Sequence, residues 1–187
     1  MLTFLKKSDI IQIFIENKGR IIMKETVLHT LPPIYQTDSR VLILGTIPSP
    51  KSRESGFYYG HPQNRFWRVL AALYQEPLPQ TNREKEAFLL RHRIALWDVL
   101  ASCKIDGASD SSIADPEPND IGWLLGQTEI SAVFCTGAKS AELYQKHCYP
   151  KTGLAAIKLP STSPANCRLS LDTLCREYRC LLEYTER

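Results

Sequence analysis

Four short apolar runs, separated by helix-like segments, most constrain what this sequence can fold into. They are continuous rather than alternating, as expected for strands buried on both faces of a sheet. The four runs are Val41–Gly45, Ile94–Val99, Ile130–Cys135 and Ala155–Leu159. Helical spacing of apolar residues is found in Asn64–Tyr74, Arg83–Arg91, Asp120–Leu125, Ala138–His147 and Leu171–Tyr184. This alternation predicts an α/β fold with three α/β/α layers and a central, mostly parallel four-stranded sheet.

The carboxyl ends of these strands are where we expect a functional site. In open α/β sheets, ligands bind in the crevice outside those ends. The loops that follow Gly45, Val99, Thr136 and Leu159 should therefore meet and form the site.

Residues 1–22 differ in pattern from the rest of the chain. Charged residues such as Lys6, Asp9 and Glu16 interrupt every apolar stretch, so neither a signal peptide nor a membrane span fits. We predict that residues 1–22 are an N-terminal extension of uncertain role, a short surface helix or strand. Residues 23–187 then form one folded domain, with Met23 as a candidate start.

Composition leaves nucleic-acid binding open and disfavours several other classes of protein. Lys and Arg number 23 against 20 Asp and Glu, so a DNA footprint must come from local clustering of charge. The six cysteines include no Cys-x-x-Cys pair, which predicts free thiols in a reducing cytoplasm and no bound metal. A disulfide framework is the weaker alternative. Without a Gly-x-Gly-x-x-Gly or P-loop motif, a nucleotide-binding protein with no DNA role is disfavoured, and we expect no cofactor.

A long loop after the first apolar run, from Gly45 to Trp67, mixes basic with aromatic residues. Its basic and aromatic residues are Lys51, Arg53, His61, Arg65, Phe57, Tyr58 and Tyr59. Long ordered loops in compact domains are usually functional, and this mixture suits phosphate contacts combined with base stacking. It suits equally a surface loop whose aromatic rings fill the core.

A shorter loop, Leu159–Asn166, follows the last apolar run. Two prolines stiffen it, and the hydroxyl groups of Ser161, Thr162 and Ser163 between them would suit a phosphate clamp. Serine-proline turns are common, so this loop alone does not identify a function.

Together the two loops resemble the paired signature motifs of the uracil-DNA glycosylase superfamily. The first motif has the form Gly-x-x-Pro-Ser, then a base-stacking aromatic residue, then His-Pro-x-Asn-x-Phe-Trp, and it corresponds to Gly45–Trp67. The second is a Pro-Ser-x-Ser-Pro loop, here Pro160–Pro164. Between them, Ile94–Ser102 and Asp110–Ile113 look like the hypoxanthine-DNA glycosylase branch. The similarity extends from about Leu31 to Tyr184.

This resemblance implies a monofunctional, cofactor-free DNA glycosylase of base-excision repair. Such an enzyme flips a deaminated base, hypoxanthine in preference to uracil, and hydrolyses its N-glycosidic bond. The expected partner is DNA that contains deaminated bases, bound by a cytoplasmic monomer without membrane association.

Two positions depart from the pattern of the wider superfamily. Most members have a catalytic Asn or Asp just before the proline of the first motif, where this chain has Ile47. Many also begin the second motif with a His that stabilises the departing base, where this chain has Leu159. The hypoxanthine branch is similar in lacking the first group and relies on the Asn of His-Pro-x-Asn, which is Asn64 here. The cysteine quartet of the iron–sulfur members is absent.

The resemblance assigns a role to each loop residue. Asn64 is the expected catalytic group, with His61 as a candidate proton donor. The residues expected to bind the base are Tyr59, Asp98, Thr46, Ile47 and Pro48. The residues expected to contact DNA are Ser49, Lys51, Arg53, Ser161, Thr162, Ser163 and Asn166.

Structural alternatives accompany four of these roles. The ring of Tyr59 could simply pack in the core, and the carboxylate of Asp98 could brace the adjoining loop. His61 could order the turn in which it lies, and Asn64 could be the N-cap of the helix that follows it. Two other functions also stay open: a glycosylase for uracil or several deaminated bases, and a DNA-damage-binding protein that lost catalysis at Ile47.

Overall fold

The computed structural model describes residues 12–15 and 21–186. Within these residues the strands are β1 (Gln12–Ile15), β2 (Ile21–Leu28), β3 (Val41–Gly45), β4 (Ile94–Asp98), β5 (Leu100–Ile105), β6 (Ala114–Pro118), β7 (Ala132–Thr136) and β8 (Ala156–Leu159). The α-helices are α1 (Pro50–Ser55), α2 (Phe66–Leu73), α3 (Asn82–Arg91), α4 (Ile121–Gly126), α5 (Ala138–His147), α6 (Tyr149–Thr152), α7 (Leu171–Tyr178) and α8 (Leu182–Thr185). Short 3-10 turns lie at Asp110–Ser112 and Arg179–Leu181.

The central sheet is parallel and four-stranded, in the order β4-β3-β7-β8. Every residue of β3, β4 and β7 is buried, which explains why these segments are apolar without alternation. Val41 lies in register with Ile94 on one side and with Ala132 on the other. The predicted three-layer α/β/α fold is confirmed, with strand ends within two residues of the expected ones.

A second four-stranded sheet was not predicted. It is antiparallel, in the order β1-β2-β5-β6. Strand β6, Ala-Asp-Pro-Glu-Pro, contains two prolines and is at an edge, the position in a sheet that tolerates residues without an N–H donor. Strand β2 begins at Ile21 and so crosses the expected boundary between residues 22 and 23. That division of the chain stays a prediction.

The two sheets join where β4 continues into β5. The backbone N–H of Val99 donates to the carbonyl of Gly45 at 3.0 Å, and that of Leu100 donates to the carbonyl of Thr46 at 3.0 Å. The start of the antiparallel sheet is therefore fixed against the carboxyl end of β3.

Two helical segments also differ from the expected pattern. Helix α1 lies inside the predicted long loop, where the side chain of Ser49 caps it by accepting from the N–H of Ser52. The predicted helix Leu171–Tyr184 is interrupted by the 3-10 turn that precedes α8. In the described part of the chain, no helix is long and apolar enough to cross a membrane. All six cysteines are free thiols.

Candidate active site

A cavity of about 160 Å³ lies at the carboxyl ends of the parallel strands. The loops that follow Gly45 and Leu159 line it, together with Thr136 at the end of β7. The loop expected after Val99 is absent, because β4 continues into β5, and the segment between β5 and β6 lines the cavity in its place. The residues that line the cavity are Gly45, Thr46, Ile47, Pro48, Ser49, Ser52, Tyr58, Tyr59, Asn64, Asp98, Ala108, Asp110, Thr136, Ser161, Thr162 and Ser163. All five residues expected to bind a base are among them.

Asp98 is held in a single orientation at the end of β4. Its Oδ2 lies 2.9 Å from Nε2 of His29, and the two side chains are only 6% and 2% exposed. Its Oδ1 makes no hydrogen bond to any described residue and lies directly over the α-carbon of Gly45, where a Cβ would be 2.2 Å away. Gly45 thus leaves room for the carboxylate, and Asp98 presents one oxygen as a free acceptor.

Tyr59 forms one wall of the cavity through its ring. Phe66 stacks on it with ring centroids 3.8 Å apart and an interplanar angle of 12°. Its hydroxyl lies 2.9 Å from Oγ1 of Thr136, which itself donates to the carbonyl of Leu44, so the phenol is the donor of the pair. Burial, and then the charge of Asp98, raise the pKa of Tyr59 well above its ordinary value. The ring is therefore neutral and rigidly held, at a φ of 53°.

Asn64 has a fixed amide orientation. Its Oδ1 accepts from the backbone N–H of Phe66 at 3.0 Å and from the hydroxyl of Thr162 at 2.9 Å. Since the backbone N–H can only donate, these contacts assign the oxygen to that side and the NH₂ group to the other. Asn64 therefore offers hydrogen-bond donors to the cavity.

Arg65 ties the two motif loops together. Its guanidinium donates to the carbonyls of Ser163 at 3.0 Å, of Asn166 at 2.8 Å and of Leu169. Its backbone N–H donates to the carbonyl of Thr162 at 3.1 Å. The chain segment around Ser161–Leu169 is thus shaped by one side chain of the first motif.

Asp110 enters the cavity from the antiparallel sheet. It begins the 3-10 turn between β5 and β6, is exposed at the cavity mouth, and accepts from Oγ1 of Thr46 at 3.4 Å. Partial loss of water around this carboxyl raises its pKa above the ordinary value, and the charge of Asp98 raises it further. The cavity therefore holds two carboxylates, one buried and one at the mouth.

The residues expected to contact DNA fall into two groups. Ser49, Ser161, Thr162 and Ser163 line the cavity, but Thr162 is only 1% exposed and its hydroxyl is already donated to Asn64. Thr162 thus orients the amide of Asn64, which differs from the phosphate contact expected of its hydroxyl. The remaining three residues lie outside the lining: Lys51, Arg53 and Asn166.

Both basic side chains of helix α1 have acidic neighbours. Lys51 Nζ lies 2.7 Å from an oxygen of Glu54, and a guanidinium nitrogen of Arg53 lies 2.7 Å from an oxygen of Glu25. Exposed pairs of this kind contribute about 0–1 kcal/mol, so neither prevents exchange for a phosphate. Asn166 Nδ2 instead donates to the carbonyl of Ser161 at 2.8 Å, a contact within its own loop.

His61 does not line the cavity. Its Nδ1 accepts from the N–H of Gln63 at 3.1 Å, which orders the turn that leads to Asn64. This contact corresponds to the structural alternative for His61, and we assign it no catalytic step.

Sequence reasoning assigned no site role to three residues that shape the site: His29, Arg65 and Asp110. His29 directly follows β2, and Asp110, noted only as the start of the branch-like segment Asp110–Ile113, lies between β5 and β6 of the unpredicted antiparallel sheet. Arg65 was noted only as a basic residue of the long loop. Its position directly after Asn64 was the one feature of the sequence that could have pointed to a role in the site. The described residues contain no group of three or more His, Cys, Asp or Glu side chains placed to hold a metal ion.

Comparison with known proteins shows the family to which this chain belongs. Residues 32–183 match the model of the uracil DNA glycosylase superfamily, more than four fifths of the chain. The chain belongs to this superfamily. The matched range agrees with the similarity expected from Leu31 to Tyr184. In this chain the cavity is lined by Ile47, which supplies no polar side chain.

Superfamily relatives with assigned activities are also similar. A hypoxanthine DNA glycosylase from Methanosarcina acetivorans is 35% identical over 140 residues, covering 74% of this chain and 88% of the relative. One from Methanosarcina barkeri is 36% identical over 113 residues, covering 59% and 72%. The solution NMR structure of a candidate uracil DNA glycosylase from Methanosarcina acetivorans superposes with a TM-score of 0.69 at 31% identity, over 82% of this chain and 97% of that one. The resemblance to the hypoxanthine branch is thereby confirmed.

Proposed function

We propose that this protein is a DNA glycosylase that excises deaminated bases, hypoxanthine above all, in base-excision repair. The observation that carries the proposal is the buried Asp98, whose Oδ2 is held by His29 and whose Oδ1 is left free at the cavity. The names of its superfamily relatives support the same activity.

The free oxygen of Asp98 suits a base that carries a hydrogen on its ring nitrogen. Hypoxanthine has an N1–H donor beside the O6 acceptor, whereas adenine has no hydrogen on N1. An adenine in the cavity would leave the carboxylate unpaired, and a site built around a hydrogen bond rejects an analogue that lacks it by about 10⁴–10⁵. Uracil also has a ring N–H, so Asp98 leaves uracil as a second substrate. Guanine and thymine carry a ring N–H as well, so Asp98 separates hypoxanthine from adenine and does not by itself reject those two normal bases.

Tyr59 would hold the extruded base by its ring. One face is covered by Phe66, so a base entering the cavity stacks on the other face and extends an existing aromatic pair. Stacking of this kind contributes about 1–3 kcal/mol per base, comparable to the cost of a few kcal/mol for flipping a nucleotide.

Asn64 would stabilise the charge that develops when the bond breaks. As the bond between C1′ and N9 lengthens, the sugar becomes cation-like and the purine gains negative charge. The NH₂ group of Asn64 is oriented to donate toward an electron-rich atom, because its oxygen is occupied by Phe66 and Thr162. A fixed donor of this type contributes about 10²–10³ in rate.

A panel of DNA duplexes tests the proposal. Each carries one hypoxanthine, uracil, xanthine or normal adenine, and base release is measured with enzyme in excess and EDTA present. We expect full release of hypoxanthine in EDTA, slower release of the other deaminated bases, and no release of adenine. Faster release of uracil would overturn the preference, and binding without any release would favour a damage-binding protein.

A further inference from the structure

The amide of Asn64 leaves one requirement of hydrolysis unmet. An attacking water must give up a proton, and the acceptor oxygen of Asn64 is already engaged by two donors. Ile47, at the position where most superfamily members have a polar catalytic residue, has no acceptor. The proton of the attacking water must therefore be accepted by another group, and a carboxylate elsewhere in the cavity could accept it.

Of the two cavity carboxylates, Asp110 is the one available. Asp98 is buried against His29 and faces the base in the proposed complex. Asp110 lies at the mouth and lines both the main cavity and a small adjoining recess, in each case together with Ile47 and Pro48. It therefore stands beside the position that lacks the usual catalytic group.

The loop around Asp110 holds it there. The hydroxyl of Ser112, two residues on, accepts from the N–H of Asp106 at 2.8 Å and donates to the carbonyl of Ser109 at 2.7 Å. One carboxyl oxygen of Asp110 accepts from Thr46, and the other makes no hydrogen bond to a described residue. The second oxygen is free to accept from water.

We propose that Asp110 is the general base of this glycosylase and takes the place of the polar residue missing at Ile47. The proposal rests on the proposed function. In the step, Asp110 takes a proton from water while the water oxygen bonds to C1′ of the deoxyribose. The bond between C1′ and N9 breaks, and its electron pair leaves with the purine. The purine anion then takes up a proton, so the products are the free base and an abasic sugar.

The charges around Asp110 suit this role. Loss of water and then Asp98 on β4 raise the pKa of Asp110, whereas the hydroxyl of Thr46 and Lys139 on α5 lower it. Cys103 on β5 and Arg53 on α1, which lines the adjoining recess, are further titratable or charged neighbours. The net effect of these groups is to raise the pKa of Asp110, so its ionised carboxylate is a stronger base than that of an ordinary aspartate.

Asp110→Asn tests the proposal, with Asp115→Asn as its matched control. Asp115 lies on β6, is exposed, and pairs with Lys104 at 2.8 Å, so its variant removes the same charge outside the cavity lining. Asn also accepts the positive φ of 47° at that position. Single-turnover release of hypoxanthine and binding of the same DNA are measured on both variants across pH.

We expect Asp110→Asn to slow release by about 10²–10⁴, the usual contribution of a general base, with DNA binding unchanged or tighter. Wild-type release should fall as pH is lowered through the raised pKa of Asp110, and the variant should lack that part of the profile.

Two results would overturn the assignment: release within a few-fold of wild type, or a loss of release matched by an equal loss of DNA binding. Release by the wild type is the separate test of the proposed function, and an inactive wild type would overturn both.

Discussion

Gly45→Ala should damage base excision because of one contact. An added Cβ would lie 2.2 Å from Oδ1 of Asp98 and 3.5 Å from the hydroxyl of Tyr59. Oδ2 of Asp98 is bound to His29, so the carboxylate cannot turn away from the added Cβ without disturbing that contact. It must shift by about 1 Å to restore an ordinary contact distance.

The expected loss follows from that shift. A misplacement of about 1 Å in a positioning group costs about 10²-fold in rate, or about 2.7 kcal/mol in the activation free energy. Overpacking should also lower the free energy of unfolding by about 1–3 kcal/mol, which is about 2–12 °C in Tm for a domain of this size.

Single-turnover release from a hypoxanthine duplex measures the first effect, and thermal unfolding of the same preparation measures the second. Gly122→Ala is the matched control, because its Cβ would meet only an oxygen of Asp120 at 3.5 Å and would sit inside helix α4. That control should keep its activity and gain a little stability. A folded Gly45→Ala protein that excises hypoxanthine at the wild-type rate would refute the role of the Asp98 carboxylate.

Four further predictions can be tested in the same assays. Asn64→Ala should lower excision by about 10²–10³ and the free energy of unfolding by about 1 kcal/mol, and normal excision by the folded variant would remove Asn64 from the mechanism. Lys51→Ala and Arg53→Ala should each lower the slope of log binding constant against log salt concentration by about one, whereas unchanged slopes would show that neither side chain contacts a phosphate. His29→Ala should lower the free energy of unfolding by about 1–3 kcal/mol and slow excision without weakening binding to undamaged DNA; unaltered excision would contradict its role in orienting the acceptor. A chain that begins at Met23 should still fold and excise, because the β2 residues that pair with β5 start at position 25; loss of folding would place residues 1–22 inside the domain.

The central sheet could be predicted because its strands are buried on both faces. Full burial forces each of β3, β4 and β7 to be apolar throughout, and that pattern is visible without any tertiary information. The carboxyl ends of those strands then located the cavity. The five expected base-contacting residues line it for the same reason, since all five lie on or directly after β3 and β4 or in the loop that follows β3.

The antiparallel sheet could not be predicted from local pattern. Strand β5 places Lys104 among apolar residues, and the prolines of β6 argue against a strand unless its edge position is known. For that reason no site role could be assigned to His29 or Asp110. His29 meets Asp98 across 69 positions of the chain, a separation that no short-range periodicity encodes.

The detailed orientation of Asn64 was equally out of reach. Its N-cap-like contact with Phe66 was foreseeable from the start of a helix, but the hydroxyl of Thr162 lies 98 positions away. Only the folded arrangement shows that the amide oxygen is engaged by two donors and that the NH₂ group is left to donate.

Arg65 has a consequence for the thermodynamics of DNA binding. Its hydrogen bonds to the carbonyls of Ser163, Asn166 and Leu169 hold the segment Ser161–Leu169 in one conformation in the free protein. Ordering a flexible backbone costs about 1–2 kcal/mol per residue, and here that conformational entropy is lost during folding rather than on association. If this loop contacts phosphates, the free energy of those contacts does not have to offset the ordering of the loop, and it can offset the extrusion of the nucleotide. The loop is preorganised for binding in this sense. The loop proposed to contact the DNA backbone is therefore already ordered before the DNA arrives.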